Sequence, residues 1–337
     1  MPFVLQNRLA ADFASLVASP GVDIIADDFN GDGNTDLALV NHTPGWTTVP
    51  VALSNATGFT IENQPAAVFA SLAASPNVTA VSGDFNGDGT ADLALINHAP
   101  GWTTIPVALS SATGFTVENR PLADFASLAA SPDVEVLARD FNGDGTTDLA
   151  LINHAAGWNS IPVALSSATG FTVENLPAAG FASLAASPDV EPIAGDFNGD
   201  GTADIALINH AAGWNTIPVA LSFIATGFTI ENRPAADFAS LAASPNVEPV
   251  VEDFNGDGTT DIALINHAAG WNSILLALSS ATGFTIENQP AADLASFAAS
   301  PDVAAFAGDF NGDNRGDLAL VNTAAGWNSV IVALNLP

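Results

Sequence analysis

The pentapeptide Asp-Phe-Asn-Gly-Asp occurs six times in this chain, opening at Asp28, Asp84, Asp140, Asp196, Asp253 and Asp309. The intervals are 56, 56, 56, 57 and 56 residues, and the one extra residue falls in Leu221-Ser222-Phe223-Ile224-Ala225, where other copies read Leu-Ser-Ser-Ala. A chain that repeats at this period folds as copies of one supersecondary unit, in a propeller or a solenoid, because no single copy can bury its own apolar face. Residues 1–337 therefore read as one repeat domain, and the two domains that such a length otherwise suggests are not needed.

Within the second copy, 79–84, 92–97, 104–109 and 115–118 read as strands, each an apolar or β-branched run bounded by turn residues. Four strands per unit is the content of a propeller blade. The Ala-rich connector that follows can hold a helical turn over 123–130. The last copy stops after its third strand, at Val332-Ala333-Leu334-Asn335, while Phe3-Val4-Leu5-Gln6-Asn7-Arg8 aligns with Phe115-Thr116-Val117-Glu118-Asn119-Arg120. A closed ring uses this permutation to pair both ends of the chain, and an open solenoid gains nothing from it. The expected fold is all-β: a closed six-bladed β-propeller of four-stranded antiparallel blades, with residues 3–7 supplying the outer strand of blade six.

In each copy four oxygen-bearing side chains fall at loop positions 1, 3, 5 and 9. They are Asp28, Asn30, Asp32 and Asp36 in the first copy and Asp84, Asn86, Asp88 and Asp92 in the second. The third and fourth copies have Asp140, Asn142, Asp144, Asp148 and Asp196, Asn198, Asp200, Asp204. The last two have Asp253, Asn255, Asp257, Asp261 and Asp309, Asn311, Asp313, Asp317. Hard oxygen ligands at this spacing, with Gly33 at position 6 for the tight turn, suit calcium, up to six structural Ca2+ in all. An EF-hand is excluded by Leu39 at position 12 and by strand-like flanks; magnesium keeps its waters and needs fewer carboxylates. The bland reading is six Asx turns whose carboxylates accept only backbone N–H groups. In copy six Asn314 replaces the position-6 glycine and tolerates the same left-handed conformation. Its Arg315-Gly316-Asp317 matches an adhesion tripeptide by accident, since Asp317 is a ligand.

A second element, Asn-His-x-x-Gly-Trp, recurs as Asn41, His42, Trp46; Asn97, His98, Trp102; Asn153, His154, Trp158; Asn209, His210, Trp214; and Asn266, His267, Trp271. Copy six has Asn322, Thr323 and Trp327. Up-and-down strands put this loop on the face away from the acidic loop. The connector returns on the same face, with Arg8, Arg120 and Arg233 expected beside the Trp loops. An aromatic ring flanked by amide and imidazole groups suits a pyranose, whose C–H patch stacks while its hydroxyls take hydrogen bonds. Core packing of each Trp between blades stands as the equal alternative.

The bulk composition narrows the partners. Five arginines and no lysine stand against 36 acids, for a net charge of -31, so a phosphate backbone and an anionic lipid surface are both disfavoured. No apolar run is long enough to span a bilayer. Without cysteine, disulfides and thiolate metal sites are excluded. Met1 to Arg8 lacks the basic and long apolar segments of a secretory signal, so the expected protein is soluble, and cytoplasmic or released without a classical signal unless one has been removed.

The acidic loops, Asp-Phe-Asn-Gly-Asp-Gly-x-x-Asp, resemble the FG-GAP loops of integrin-α-type propellers. The whole unit, including Asn-His-x-x-Gly-Trp and Ile-Pro-Val-Ala-Leu-Ser, resembles the fungal N-acetylglucosamine-binding propeller lectins over essentially the full chain. That resemblance implies a multivalent lectin for terminal N-acetylglucosamine, with sugar pockets at blade interfaces, structural calcium in each blade and glycans as partners. Copy six departs by Thr323, and the connector of copy three by Leu176 and Gly180. An integrin-like protein-binding adhesion module is the alternative; it predicts variation concentrated in one or two blades, whereas here the candidate residues repeat. An enzyme is not expected, because no copy carries its own set of acid, base and nucleophile.

Overall fold

A computed structural model describes all residues except Met1, Pro2, Ala112, 224–226 and Pro337. The inserted residue between copies four and five, read within 221–225, thus falls partly outside the described residues. The described strands form six sheets of four antiparallel strands each. Blade one consists of Val22–Asp27, Asp36–Asn41, Thr48–Asn55 and Gly58–Pro65, from the axis outward. Blades two to five repeat this order. The last blade is built from Val303–Gly308, Asp317–Asn322, Ser329–Leu334 and the N-terminal strand Val4–Leu9. Val4 lies opposite Leu334 and Leu9 opposite Ser329, so the two ends of the chain close the ring as the sequence permutation predicts. The closing strand runs two residues beyond the expected limit at Asn7.

The second strand of each blade shows why such short apolar runs suffice. Successive side chains of a strand point to opposite faces. Leu37 and Leu39 accordingly enter the core between blades six and one, while Ala38 and Val40 enter the core between blades one and two. All six described apolar cores lie between neighbouring blades in this way. Each is capped by the connector helix that joins the two blades, such as Ala67–Ala73, which seats Phe69 and Ala73 in the core between blades one and two. The connector of copy two is a helix over Ala123–Ala129, against an expected turn over 123–130. The six helices lie on the Trp side of the ring, where Ala66 N–H donates to the carbonyl of Thr47 and Leu122 N–H to that of Thr103.

The acidic loops are tied to one another around the ring. Position 8 of each loop donates its N–H to the carbonyl of the first acid of the preceding loop. Thr35 reaches Asp309 at 2.7 Å, Ala91 reaches Asp28 at 2.8 Å, and the pattern runs on through Thr147, Ala203, Thr260 and Gly316. The innermost strands leave an apolar central channel of about 380 Å³ with residues such as Ile24, Val81, Leu137 and Phe306 on its wall.

Candidate functional site

In the first acidic loop the Asp28 carboxylate is wrapped by backbone. Oδ1 accepts from Gly31 N–H at 2.7 Å and Asp32 N–H at 3.2 Å, and Oδ2 accepts from Gly33 N–H at 2.8 Å. Gly31 and Gly33 have φ of 72° and 82°, which any side chain would strain. Asn314, in the place of a glycine, takes φ 61° and donates to Asp309 Oδ2 at 2.8 Å, so copy six keeps the loop as expected. Asp36 is fully buried and accepts from Ser54 N–H at 2.6 Å and Phe29 N–H at 3.2 Å. Its equivalents Asp92, Asp148, Asp204, Asp261 and Asp317 are fully buried too.

This is the Asx-turn network of the bland reading, and among the described residues no group of three or more acidic or imidazole side chains is placed to hold a metal ion. The same carboxylates nevertheless suit a hard cation. Burial, followed by the charges of Asp28 and Asp32, pushes the Asp36 carboxyl up to about 7 against the pull of its two backbone donors. Asp92, Asp148, Asp204, Asp261 and Asp317 are likewise pushed up to about 7, chiefly by burial. Asn86 Oδ1 and Asn255 Oδ1, at loop position 3, are buried with no partner among the described residues. A buried oxygen without a donor beside acids that resist ionisation is what an oxygen-coordinated cation would satisfy. Asp28 Oδ2 and both Asp36 oxygens each accept a single amide, so each keeps a lone pair for ligation.

On the opposite face the repeated polar groups of the Asn-His-x-x-Gly-Trp loop are engaged largely within the protein. Asn41 Oδ1 accepts from Thr43 N–H at 2.7 Å, and Asn97, Asn153, Asn209, Asn266 and Asn322 cap their loops the same way through the N–H two residues on. Each histidine bridges its loop to the next connector. His42 Nδ1 donates to the carbonyl of Ala73, the last residue of its helix, at 3.0 Å, and Nε2 faces Asp23 Oδ2 at 2.8 Å. His154, His210 and His267 pair with Glu135, Glu191 and Glu248, whereas His98 meets Thr79 Oγ1. In copy six Thr323 Oγ1 donates to the carbonyl of Asp302 instead.

The acid partner, reinforced by the carbonyl, raises the pKa of His42, His154, His210 and His267 above the ordinary histidine value. A raised folded-state pKa means that these four pairs stabilise fully below the unfolded value of about 6.5, and that the contribution disappears as pH rises through the folded value. Glu191→Gln is expected to move the His210 titration midpoint down, read by imidazole NMR; a midpoint that stays put contradicts the pairing.

The three arginines expected beside the Trp loops are elsewhere. Arg8, Arg120 and Arg233 are each 2% exposed, because a guanidinium between blades finds fixed carbonyls and an aromatic ring there. Arg120 Nη1 donates to the carbonyl of Phe85 at 2.9 Å, and its guanidinium sits 5.5 Å from the Phe171 ring centre. They key blade interfaces and are closed to a sugar on the Trp face.

The tryptophans are part core and part surface. Each is half-buried and packs on the core between its own blade and the preceding one, Trp102 on the core that holds Phe69 and Trp271 on the core that holds Phe238. The remaining surface of Trp271 borders a cavity of about 220 Å³ with Leu241 of the preceding connector helix and the polar groups of Asn272, Ser273 and Asn288. In copy six Phe297 replaces that leucine and meets Trp327 edge-on at 6.5 Å. Asn288 was not singled out from sequence. The signal was the Asn that ends Phe-Thr-x-Glu-Asn in copies one to five and recurs as Asn7 after Gln6, a position no strand requires.

The FG-GAP-like repeat family matches residues 28–95 and 140–207, each match running from the acidic loop of one blade through the second strand of the next. Among solved structures the chain is similar to an Agrocybe aegerita lectin described by its specific recognition of non-reducing terminal N-acetylglucosamine, at 18% identity and a TM-score of 0.62, covering 93% of this chain and 80% of that one. It is also similar to the crystal structure of TcdB2-TccC3-Cdc42, at 16% identity and a TM-score of 0.52, covering 99% of this chain but 15% of the other. At these identities the likeness is one of fold. A sequence search of curated proteins gives no match. Among the described residues, no helix of this propeller is long and apolar enough to cross a membrane.

Proposed function

We propose that this propeller is a multivalent carbohydrate-binding protein for terminal N-acetylglucosamine, one pocket per blade junction on the Trp face, with calcium bracing the loops of the other face. The observation that carries the reading is the half-exposed Trp271 over a cavity of sugar-ring scale, bordered by Asn272, Ser273 and Asn288. The buried part of the indole anchors it, and the open part offers an apolar surface to a pyranose C–H patch. The amide and hydroxyl groups beside it match hydroxyl and acetamide partners. His42 and its counterparts position the loop that carries Trp; they do not bind sugar themselves, since both ring nitrogens are engaged. Repetition around the ring favours recognition over catalysis, which needs one asymmetric set of groups. The similar fold of the Agrocybe aegerita lectin supports the sugar class.

For the calcium, Asp28, Asn30, Asp32 and Asp36 and their counterparts would hold one ion per blade, which would neutralise acids now held close together. Each sugar site alone is expected to be weak, with a Kd of about millimolar to micromolar, and avidity across sites to raise surface binding by about 10²–10⁴. Trp271→Ala is expected to remove one site from the stoichiometry measured by calorimetry. Asn288→Ala, a change at an exposed residue, should weaken the same site and leave the melting temperature in place. Stoichiometry and affinity unchanged in both variants would overturn the assignment.

A further inference from the structure

Three of the six blade interfaces are keyed by an arginine from the outer strand. Arg120 joins blades two and three: Nη1 donates to the carbonyls of Phe85 and Ser167 at 2.9 and 3.3 Å, Nε to Glu118 Oε2 at 3.4 Å, and the guanidinium lies over Phe171. Arg233 repeats the set between blades four and five with Phe197, Ser280, Glu231 and Phe284. Arg8 does so between blades six and one, with the carbonyl of Phe310, Gln6 Oε1 and the ring of Phe59.

Between blades one and two the arginine position is Gln64, yet the residues that surround the arginine elsewhere recur, with the Ser111 carbonyl accepting from Gly114 N–H at 3.1 Å and keeping its second lone pair. Glu62, Phe29, Ser111 and Phe115 stand 56 residues before Glu118, Phe85, Ser167 and Phe171. These four and Gln64 all line one cavity of about 240 Å³. Gln64 folds back on the acid, its Nε2 donating to Glu62 Oε2 at 2.7 Å. At the other two interfaces without arginine, a side chain of the next blade takes the corresponding carbonyl. The carbonyl of Phe141 accepts from Ser222 Oγ at 2.8 Å, with Leu176 and Phe228 packed on the same core, and the carbonyl of Phe254 accepts from Asn335 Nδ2.

We infer that the cavity between blades one and two is a guanidinium-binding site, for a small alkylguanidinium cation or the arginine side chain of a peptide. Its acid, two carbonyls and aromatic face are the partners that hold a guanidinium at two other interfaces of the same ring, and a carbonyl and an aromatic face recur around Arg8 at a third. A planar cation between a carboxylate and a ring face gains both a charge-assisted hydrogen bond and a cation–π contact. The net charge of -31 draws cations of any shape to the surface, so the test has to separate shape from charge.

The full calcium-loaded chain is titrated by calorimetry with ethylguanidinium, with ethylammonium, and with the tripeptide Gly-Arg-Gly. Ethylguanidinium is expected to bind saturably at one site per chain and ethylammonium at least about tenfold more weakly, because it has no planar face to stack on the Phe115 ring while donating to the acid. Binding of the tripeptide as well would assign a peptide arginine as a source of the group; its exclusion would assign the free cation. Glu62→Gln is expected to weaken the site by about ten- to a hundredfold, the loss of one charged hydrogen bond. Gln64→Arg fills the cavity from within, and should abolish binding and raise the melting temperature. Arg120→Ala should open a second site of the same selectivity; if that variant is too unstable to titrate, Gln64→Arg still decides. No saturable binding, equal binding of ethylammonium, or binding retained in Gln64→Arg would overturn the inference.

Discussion

Exhaustive chelation of calcium is expected to lower the melting temperature by upward of about 15 °C. At a free ion concentration 100-fold above its Kd each site contributes about 2.7 kcal/mol. Six sites then supply on the order of 16 kcal/mol, and about 1 kcal/mol moves a domain of this size by roughly 1–2 °C. The effect should grow with pH. In the metal-free protein the buried loop acids, Asp36 and its five counterparts, hold a proton up to about 7. In the unfolded chain an aspartate releases its proton near 4. Between those values the folded state binds more protons, so its stability falls as pH rises. Calcium needs the ionised acids and reverses the trend, so chelation should cost more at pH 8 than at pH 5. The inter-loop bonds from Thr35 to Asp309 and onward around the ring make the loss collective. A melting curve unchanged at pH 8, with metal absence confirmed by elemental analysis, would contradict the calcium assignment.

The second large effect is expected from removing residues 1–9. The strand Val4–Leu9 pairs along its length with Ser329–Leu334, and Arg8 is buried against the carbonyl of Phe310. Without it blade six presents the strand Ser329–Leu334 as an open edge, and the interface between blades six and one loses its key. Exposed apolar edges pair with other chains, so the truncated protein should melt lower and elute in part as aggregate. A peptide of residues 1–10 should restore the monomer by adding the missing strand in trans. If the truncated chain melts and elutes like the full one, closure by this strand is wrong.

The repeat, the four strands per blade and the closing permutation were legible because they rest on local pattern: a fixed period, alternation within strands, and turn residues between them. What was not legible depends on contacts across blades. His42 meets groups 19 and 31 residues away, on its own first strand and on the next connector, so its bridging role is invisible from Asn-His-x-x-Gly-Trp alone. The arginines carry a further signal, a period of two blades. Arg8, Arg120 and Arg233 alternate with Gln64, Leu176 and Gln289, and Gly83, Gly195 and Gly308 alternate with Asp27, Arg139 and Glu252. Packing explains the second series: a Cβ on Gly83 would lie 2.3 Å from the Thr147 side chain, whereas Asp27 and Arg139 face Ala91 and Ala203 at the corresponding places. Residues that alternate in size across neighbouring interfaces must be chosen in pairs. The Trp rings resisted assignment from sequence for a simpler reason, since each is part core and part surface.

The six tryptophans, one in each blade, make the sugar assignment directly measurable. In a calcium-loaded, 15N-labelled sample the six indole N–H signals report the six candidate pockets separately. Titration with N-acetylglucosamine is predicted to move several of them saturably, Trp271 among them, and titration with galactose to leave them in place. If all six stay unmoved up to roughly 100 mM N-acetylglucosamine, far above the weakest expected Kd, the Trp face does not bind this sugar and the proposed function is wrong.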